Sequence, residues 1–252
     1  MSSMKKCAYC DTKTKLTKEH IWPKCLIKKM PNLTSRYIGS QDKFVTSELV
    51  ISDVCSKCNN EKLSKLDSYF CSLFDKYFKD FHEAKKQFTF EYEYDLLLRS
   101  LLKITFNSSR TINNEDNYFE NFKHFILDGN ETWGNVVILL DIITPWITKG
   151  IKVYPTSMRC AIVDVGIKNE NFIIRAVSVN SFYFYILICK EKTLSETLVE
   201  EWNNIYNRIP GSIIHPYRTQ TLISDFSNQN TYDVHKDFVM NTSEAFYKLY
   251  KK

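Results

Sequence analysis

No stretch of this chain is apolar for long enough to cross a membrane. The longest runs, 135–143 and 182–189, fall well short of the roughly 20 residues a spanning helix needs. The opening Met-Ser-Ser-Met-Lys-Lys lacks the apolar segment of a secretory signal, and together these absences predict a soluble, cytoplasmic protein with no membrane partner. Glycine and proline number six each, and no Gly/Ser/Pro-rich linker, low-complexity tract or internal repeat is visible, so domain boundaries must be read from changes of pattern. A Walker-type phosphate loop is also missing, so any ATP dependence would have to come from another chain.

What is present is ordinary globular text: 252 residues, 44% hydrophobic and 25% charged, enough for one large domain or two small ones with a real core. The net charge of +5 is unevenly spread. Residues 1–66 carry 13 Lys and Arg against 6 Asp and Glu, whereas the remainder carries 21 against 23. Clustered basic charge suits a polyanion, because each phosphate contact releases counterions; a solvated lysine-rich surface explains the same composition equally well.

Periodicity divides the chain near residue 78. Before it, 16–22 and 44–54 read as strands, and 59–78 as a helix with Leu63, Leu66, Phe70, Leu73, Phe74 and Tyr77 at helical spacing. After a strand at 87–92, residues 94–109 repeat Leu97, Leu98, Leu101, Leu102 and Phe106 on one helical face, with Arg99, Lys103 and Asn107 together on another. That second face reads as solvated more readily than as phosphate-binding. A third helix spans 118–127, closed by Asp128-Gly129. Strands follow at 135–142, 158–165, 171–179 and 181–189, then a helix at 194–207, and the tail from Pro210 reads as polar and irregular.

Four of the eight cysteines come as two Cys-x-x-Cys pairs, Cys7/Cys10 and Cys55/Cys58, in a chain without an export signal. Four thiolates delivered from two turns complete a tetrahedral structural Zn²⁺ site. The 44 residues between Cys10 and Cys55 exceed compact-finger spacing, so the insert must itself form a structural unit. Cys25, Cys71, Cys160 and Cys189 lack paired spacing and read as core cysteines.

Within the insert stands Leu16-Thr-Lys-Glu-His-Ile-Trp-Pro23, and after the last cysteine Asn59-Asn-Glu-Lys62. Cys-x-x-Cys, then Glu-His-Ile-x-Pro, then Cys-x-x-Cys-Asn-x-x-Lys resembles the bacterial HNH endonucleases of the ββα-metal class with a zinc-bound frame, over residues 7–67. The resemblance implies an α+β chain: a zinc-bound ββα-metal module at 1–78, followed by a mixed helix and sheet region at 79–252 that selects a target or partner. It also implies metal-dependent hydrolysis of phosphodiester bonds, with DNA the favoured substrate, in settings such as phage defence or restriction, some beside an ATPase or other subunit. His20 then takes the role of general base, which suits an imidazole at neutral pH. Glu19 and Asn59 supply hard oxygen ligands for a catalytic Mg²⁺ or Mn²⁺, and Lys62 and Lys24 are candidate phosphate contacts. A lone HNH site cuts one strand, so double-strand cleavage implies a homodimer or two successive events.

One position departs from the family pattern: its middle Asn, which orients the histidine, has no clear counterpart in 46–54, where Ser47, Glu48, Ser52 and Asp53 are the only candidates. Asp67 stands where related sequences often carry an acid, with a structural role favoured. Two rival readings remain: a non-catalytic zinc-dependent nucleic-acid-binding module, with Tyr9, Trp22, Tyr37 and Phe44 as stacking residues, and a subunit of a larger defence complex docked through its C-terminal sheet.

Overall fold

The computed structural model describes residues 5–224 apart from short breaks at 31–32, 34–35, 39–42, 46–48, 84–85, 112–116, 130–134, 149, 168–169, 192 and 194. Among the described residues the chain forms two compact units that interleave along the sequence. The first holds 5–75 and 95–129, the second 76–94 and 135–224. A single cut after residue 78 was the expectation from sequence; residues 95–129 instead belong with the cysteine-bearing segment.

In the first unit, strand β1 (Leu16–His20) is followed by helix α1 (Lys24–Lys29), the short pair β2 (Arg36–Ile38) and β3 (Lys43–Val45), and strand β4 (Val50–Cys55). β1 pairs antiparallel with β4, Leu16 opposite Cys55 and His20 opposite Val50. The register slips in between, so Ser52 and Asp53 of β4 together face Lys18, a bulge that re-aims the strand. A π-helical turn, Cys58–Leu63, leads into α2 (Ser64–Leu73), and a second one, Phe74–Phe78, ends it. Leu63, Leu66, Phe70 and Leu73 are buried, as the periodicity predicts.

Helix α3 (Tyr94–Ser109) matches its expected bounds, but its burial runs almost all round: from Leu97 to Asn107 every residue except Arg99 is buried. Arg99, partly exposed, donates to the carbonyls of Ile126 at 3.0 Å and Leu127 at 2.8 Å, in α4 (Lys123–Asp128). Gly129 then closes α4 at φ 69°, where a side chain would be strained and would meet Arg99 at 2.9 Å. Cys25 and Cys71, read from spacing as unpaired, are joined in a disulfide between α1 and α2, with Cα atoms 6.4 Å apart. Their 46-residue separation hid the pairing.

The second unit is built on a five-stranded antiparallel sheet of order β12-β6-β11-β10-β9, comprising β6 (Val136–Ile142), β9 (Met158–Ile162), β10 (Phe172–Val179), β11 (Phe182–Cys189) and β12 (Ser212–Ile214). β11 is buried along its whole length, which is why it reads as an unbroken apolar run rather than an alternating one. On one face lies α5 (Glu196–Tyr206), capped by the Ser195 hydroxyl, whose Leu198, Trp202 and Ile205 join a core of Leu139, Phe172, Tyr185 and Leu187. Phe182 and Phe184 instead pack with Phe78 and Phe90. Phe90 lies on β5 (Phe88–Glu91), which pairs with β13 (Gln220–Ile223), while β7 (Trp146–Thr148) and β8 (Ile151–Val153) form a separate hairpin. The tail from Pro210 is therefore not wholly irregular. β12 and β13 are only three and four residues long, and their partners lie far back in the chain, so local alternation could not reveal them. Gly211 marks the approach: at φ 110°, a Cβ there would sit 2.7 Å from the Leu140 backbone. No helix among the described residues is long and apolar enough to cross a membrane.

Candidate functional site

The Cys7–Cys10 segment forms a tight turn. Cys7 N–H donates to Thr12 O at 3.0 Å, Asp11 N–H to Cys7 O at 3.0 Å, and Asp11 takes the left-handed conformation at φ 59° that a short polar side chain tolerates. Ala8 N–H reaches Asp53 O at 2.8 Å, fastening this turn to β4. Cys55 ends β4 and Cys58 begins the helical segment, so a strand end and a helix start deliver the second pair. All four sulfurs lie within 4.8 Å of one another, and Cys10 and Cys55 are 3.7 Å apart. A tetrahedral zinc with Zn–S bonds of ~2.3 Å requires sulfurs spaced by about 3.8 Å. Backbone N–H groups of Cys55 and Cys58 point at the Cys7 and Cys55 sulfurs, at 3.3 and 3.4 Å.

The thiol chemistry fits the same group. Burial pushes the Cys58 and Cys55 thiols up, while at Cys10 burial is outweighed by hydrogen bonds with Thr12 and the neighbouring cysteines, which bring it down to about 7. Thiolates gathered this closely repel one another, and a cation among them offsets their charge. The cluster can therefore hold a metal ion such as zinc.

Ten residues beyond Cys10, His20 ends β1 with its side chain partly exposed, two residues after the exposed Lys18. Glu19 points to the other side of the strand, as alternation requires, and there it is buried. It forms an ion pair of 2.6 Å with Lys103 and accepts from Asn107 Nδ2 at 3.3 Å. Lys103, itself 1% exposed, also pairs with Asp67. Burial raises the Glu19 carboxyl above its ordinary range against the pull of Lys103; burial would lower the Lys103 ammonium, but Asp67 and Glu19 raise it. Two carboxylates thus share one cation. Glu19 was expected to hold a catalytic ion near His20, and the structure instead commits it to an internal ion pair, because a buried carboxylate needs a compensating charge.

Asn59, at the head of the π-helical turn, donates through Nδ2 to Thr17 Oγ1 at 3.0 Å and to Lys18 O at 2.9 Å. It ties the helix start to β1 beside the bulge. Lys62 is half-exposed and paired with Asp128, so a phosphate would have to displace that carboxylate; Lys24 is exposed at the start of α1. Of the candidates for the missing orienting residue, Asp53 is engaged by Arg110 Nε at 2.9 Å and Ser52 is exposed, while Ser47 and Glu48 lie outside the described residues. Tyr9 and Trp22, proposed to stack on bases, are 0% and 4% exposed and unavailable for it; the side chains of Tyr37 and Phe44 lie outside the described set.

Sequence reasoning missed the groups that support His20. Asn107, fully buried, donates to His20 O at 3.2 Å and accepts from Tyr9 OH at 2.6 Å and Arg110 Nη2 at 2.9 Å. Arg110 lies over the Phe106 ring, 4.0 Å from its centroid, and Phe106 meets Tyr9 edge-on. The Lys103/Asn107 pair at helical spacing was the available signal, and it was read as a solvated face. No family model matches this chain, and no curated protein or solved structure matches it either.

Proposed function

We propose that the first unit is an HNH-type endonuclease module acting on nucleic acid, DNA in preference, with His20 as the base that takes a proton from the attacking water. The observation that carries this reading is the order of parts around one metal-competent cluster. An antiparallel strand pair ends in a partly exposed histidine, and a helix starts at the last cysteine with an asparagine clamped to the first strand. That order of elements supports the ββα reading that the sequence resemblance implies. Exposed Lys13, Lys15, Lys18 and Lys24 supply positive charge on the same unit for a phosphate backbone.

The resemblance implies a Mg²⁺ or Mn²⁺ ion, and the residues here only partly fit one. Asn59 offers an oxygen, but the Glu19 carboxylate is already paired with Lys103. That same pair favours one alternative, a zinc-dependent nucleic-acid-binding module without catalysis. Phage defence, restriction, a homodimer, and a partner ATPase or other subunit belong to the proposal through the resemblance alone.

The test incubates zinc-loaded full-length protein and His20→Ala with supercoiled plasmid in Mg²⁺, Mn²⁺ or chelator. Relaxation by the wild type that falls by about 10²- to 10⁴-fold in His20→Ala supports the nuclease and its base. Plasmid binding of equal strength in both proteins, without cleavage under any ion, overturns the reading in favour of the binder.

A further inference from the structure

We propose that Asn107 is the positioning residue of His20 and the link through which the Cys7–Cys10 turn holds the histidine in place. This rests on the nuclease reading for its catalytic consequence, but not for its geometry. Asn107 comes from helix α3, far from the cysteine pairs in sequence, and its side chain is fully buried. All of its hydrogen-bonding atoms are used on functional segments. Nδ2 donates to the carbonyl of His20 itself and to Glu19, the residue before it. Oδ1 accepts from the hydroxyl of Tyr9, which stands between the two cysteines of the first pair, and from Arg110, which also grips Asp53 of β4.

A planar amide with donors on one side and an acceptor on the other transmits position in both directions. If the cysteine turn shifts, Tyr9 pulls Oδ1, and the amide rotates away from the His20 carbonyl. His20 is the last residue of β1, and the pairing runs one step further, from Ile21 N–H to Leu49 O at 3.1 Å, before the chain turns through Trp22 and Pro23. The peptide that joins His20 to Ile21 is therefore held on both sides, its carbonyl by Asn107 and its N–H by Leu49, and this sets where the imidazole stands. The Glu19–Lys103–Asp67 group lies on the same side of the strand as Asn107, one helical turn back on α3, and shares Glu19 Oε1 with it, so Asn107 acts beside a fixed ion group.

Two variants separate this role from general packing. Asn107→Asp keeps an oxygen for Tyr9 and Arg110 but loses the donor to His20. Tyr9→Phe keeps the ring against Phe106 and Arg110 and removes only the bond to Asn107. Each is prepared as full-length, zinc-loaded protein, with zinc content and melting temperature measured first. The readouts are the His20 ring resonances, assigned by their loss in His20→Ala, and the kcat and KM of plasmid relaxation.

The expected result is a displaced or broadened His20 resonance in both variants, with kcat lowered about 10- to 100-fold in Asn107→Asp, by less in Tyr9→Phe, and KM unchanged, as for misplacement of a reacting group. A wild-type His20 resonance and kcat in folded Asn107→Asp overturn the proposal. If Asn107→Asp does not fold, Tyr9→Phe decides: an unmoved resonance overturns the link. If the wild type cleaves nothing, the nuclease reading fails, while the resonances still decide whether Asn107 positions His20.

Discussion

Helix α3 of the first unit and strand β11 of the second are both buried along nearly their whole length, yet they bury opposite chemistry. β11 packs Phe182, Phe184, Tyr185 and Leu187 among aromatic and apolar side chains, with the Tyr183 hydroxyl beside Ser157 and Ser178. α3 takes Lys103 and Asn107 inside with its leucines. An apolar interior is forgiving, since any side chain of the right volume contributes through area removed from water. A polar interior is specific: each donor and charge must meet a named partner or cost several kcal/mol. The first unit accepts that demand where His20 and the cysteine turn meet. The difference is one between these two elements, since the strands on either side of β11 also bury Asp141 and Arg175.

Depriving the four-cysteine cluster of the metal it can hold should break this contrast most visibly. Structural zinc binding is worth on the order of 10 kcal/mol, comparable to the whole stability of a domain at about 5–15 kcal/mol. Chelation of the full-length protein, or Cys55→Ser, is expected to strip amide-exchange protection from β1, β4 and the 58–73 helix. Protection in β6, β10 and β11 should be retained. Simultaneous loss in both units would show that their stabilities are not separable.

That contrast also explains what could be read from the chain. Strongly periodic segments such as 94–109 and the apolar strand 182–189 were legible because burial follows period or unbroken apolarity. The cysteine pairs were legible because Cys-x-x-Cys is the spacing that brings two thiols to one metal, and the structure brings all four together. The partners of Lys103 and Asn107 were not legible. A polar residue on a helix looks the same in sequence whether water or a distant carboxylate awaits it, and Glu19 lies 84 positions before Lys103. The disulfide and the two short tail strands escaped for the same reason: each is defined by a long-range partner and not by a local pattern.

A sharper test compares truncations inside the two interiors. Lys103→Met leaves Glu19 and Asp67 without their cation and is expected to cost about 3–5 kcal/mol, the usual penalty for breaking a buried pair on one side. Phe184→Ala in β11 is expected to cost a similar amount, about 3–5 kcal/mol, through a cavity. The two separate on repair. Adding Glu19→Gln and Asp67→Asn to Lys103→Met should recover most of its loss in urea unfolding, because the charges left unpaired are then gone. No charge-neutral change elsewhere restores the aromatic volume lost at Phe184. If the triple variant is no more stable than Lys103→Met alone, the ion group contributes mainly by packing, and the proposed distinction between the interiors is lost.

The smallest expected effect is in pH dependence, and its sign follows from the burial of Glu19, which outweighs the pull of Lys103. Burial raises the folded-state pKa of Glu19 above the unfolded carboxylate value of about 4.3. Between those two values the folded protein binds more proton at this site than the unfolded chain does, so the contribution of Glu19 to stability declines as pH rises through that window. Glu19→Gln cannot lose that proton. Measured as the difference in unfolding free energy between the variant and the wild type, stability should move in the variant's favour from about pH 4 upward and level off once Glu19 in the wild type is ionised. A difference that is flat with pH would mean that Lys103 fully offsets the burial of Glu19. A difference of the opposite slope would mean that the pair is held charged more tightly than in water; the first unit's interior would then be stabilised by its ions rather than merely satisfied by them.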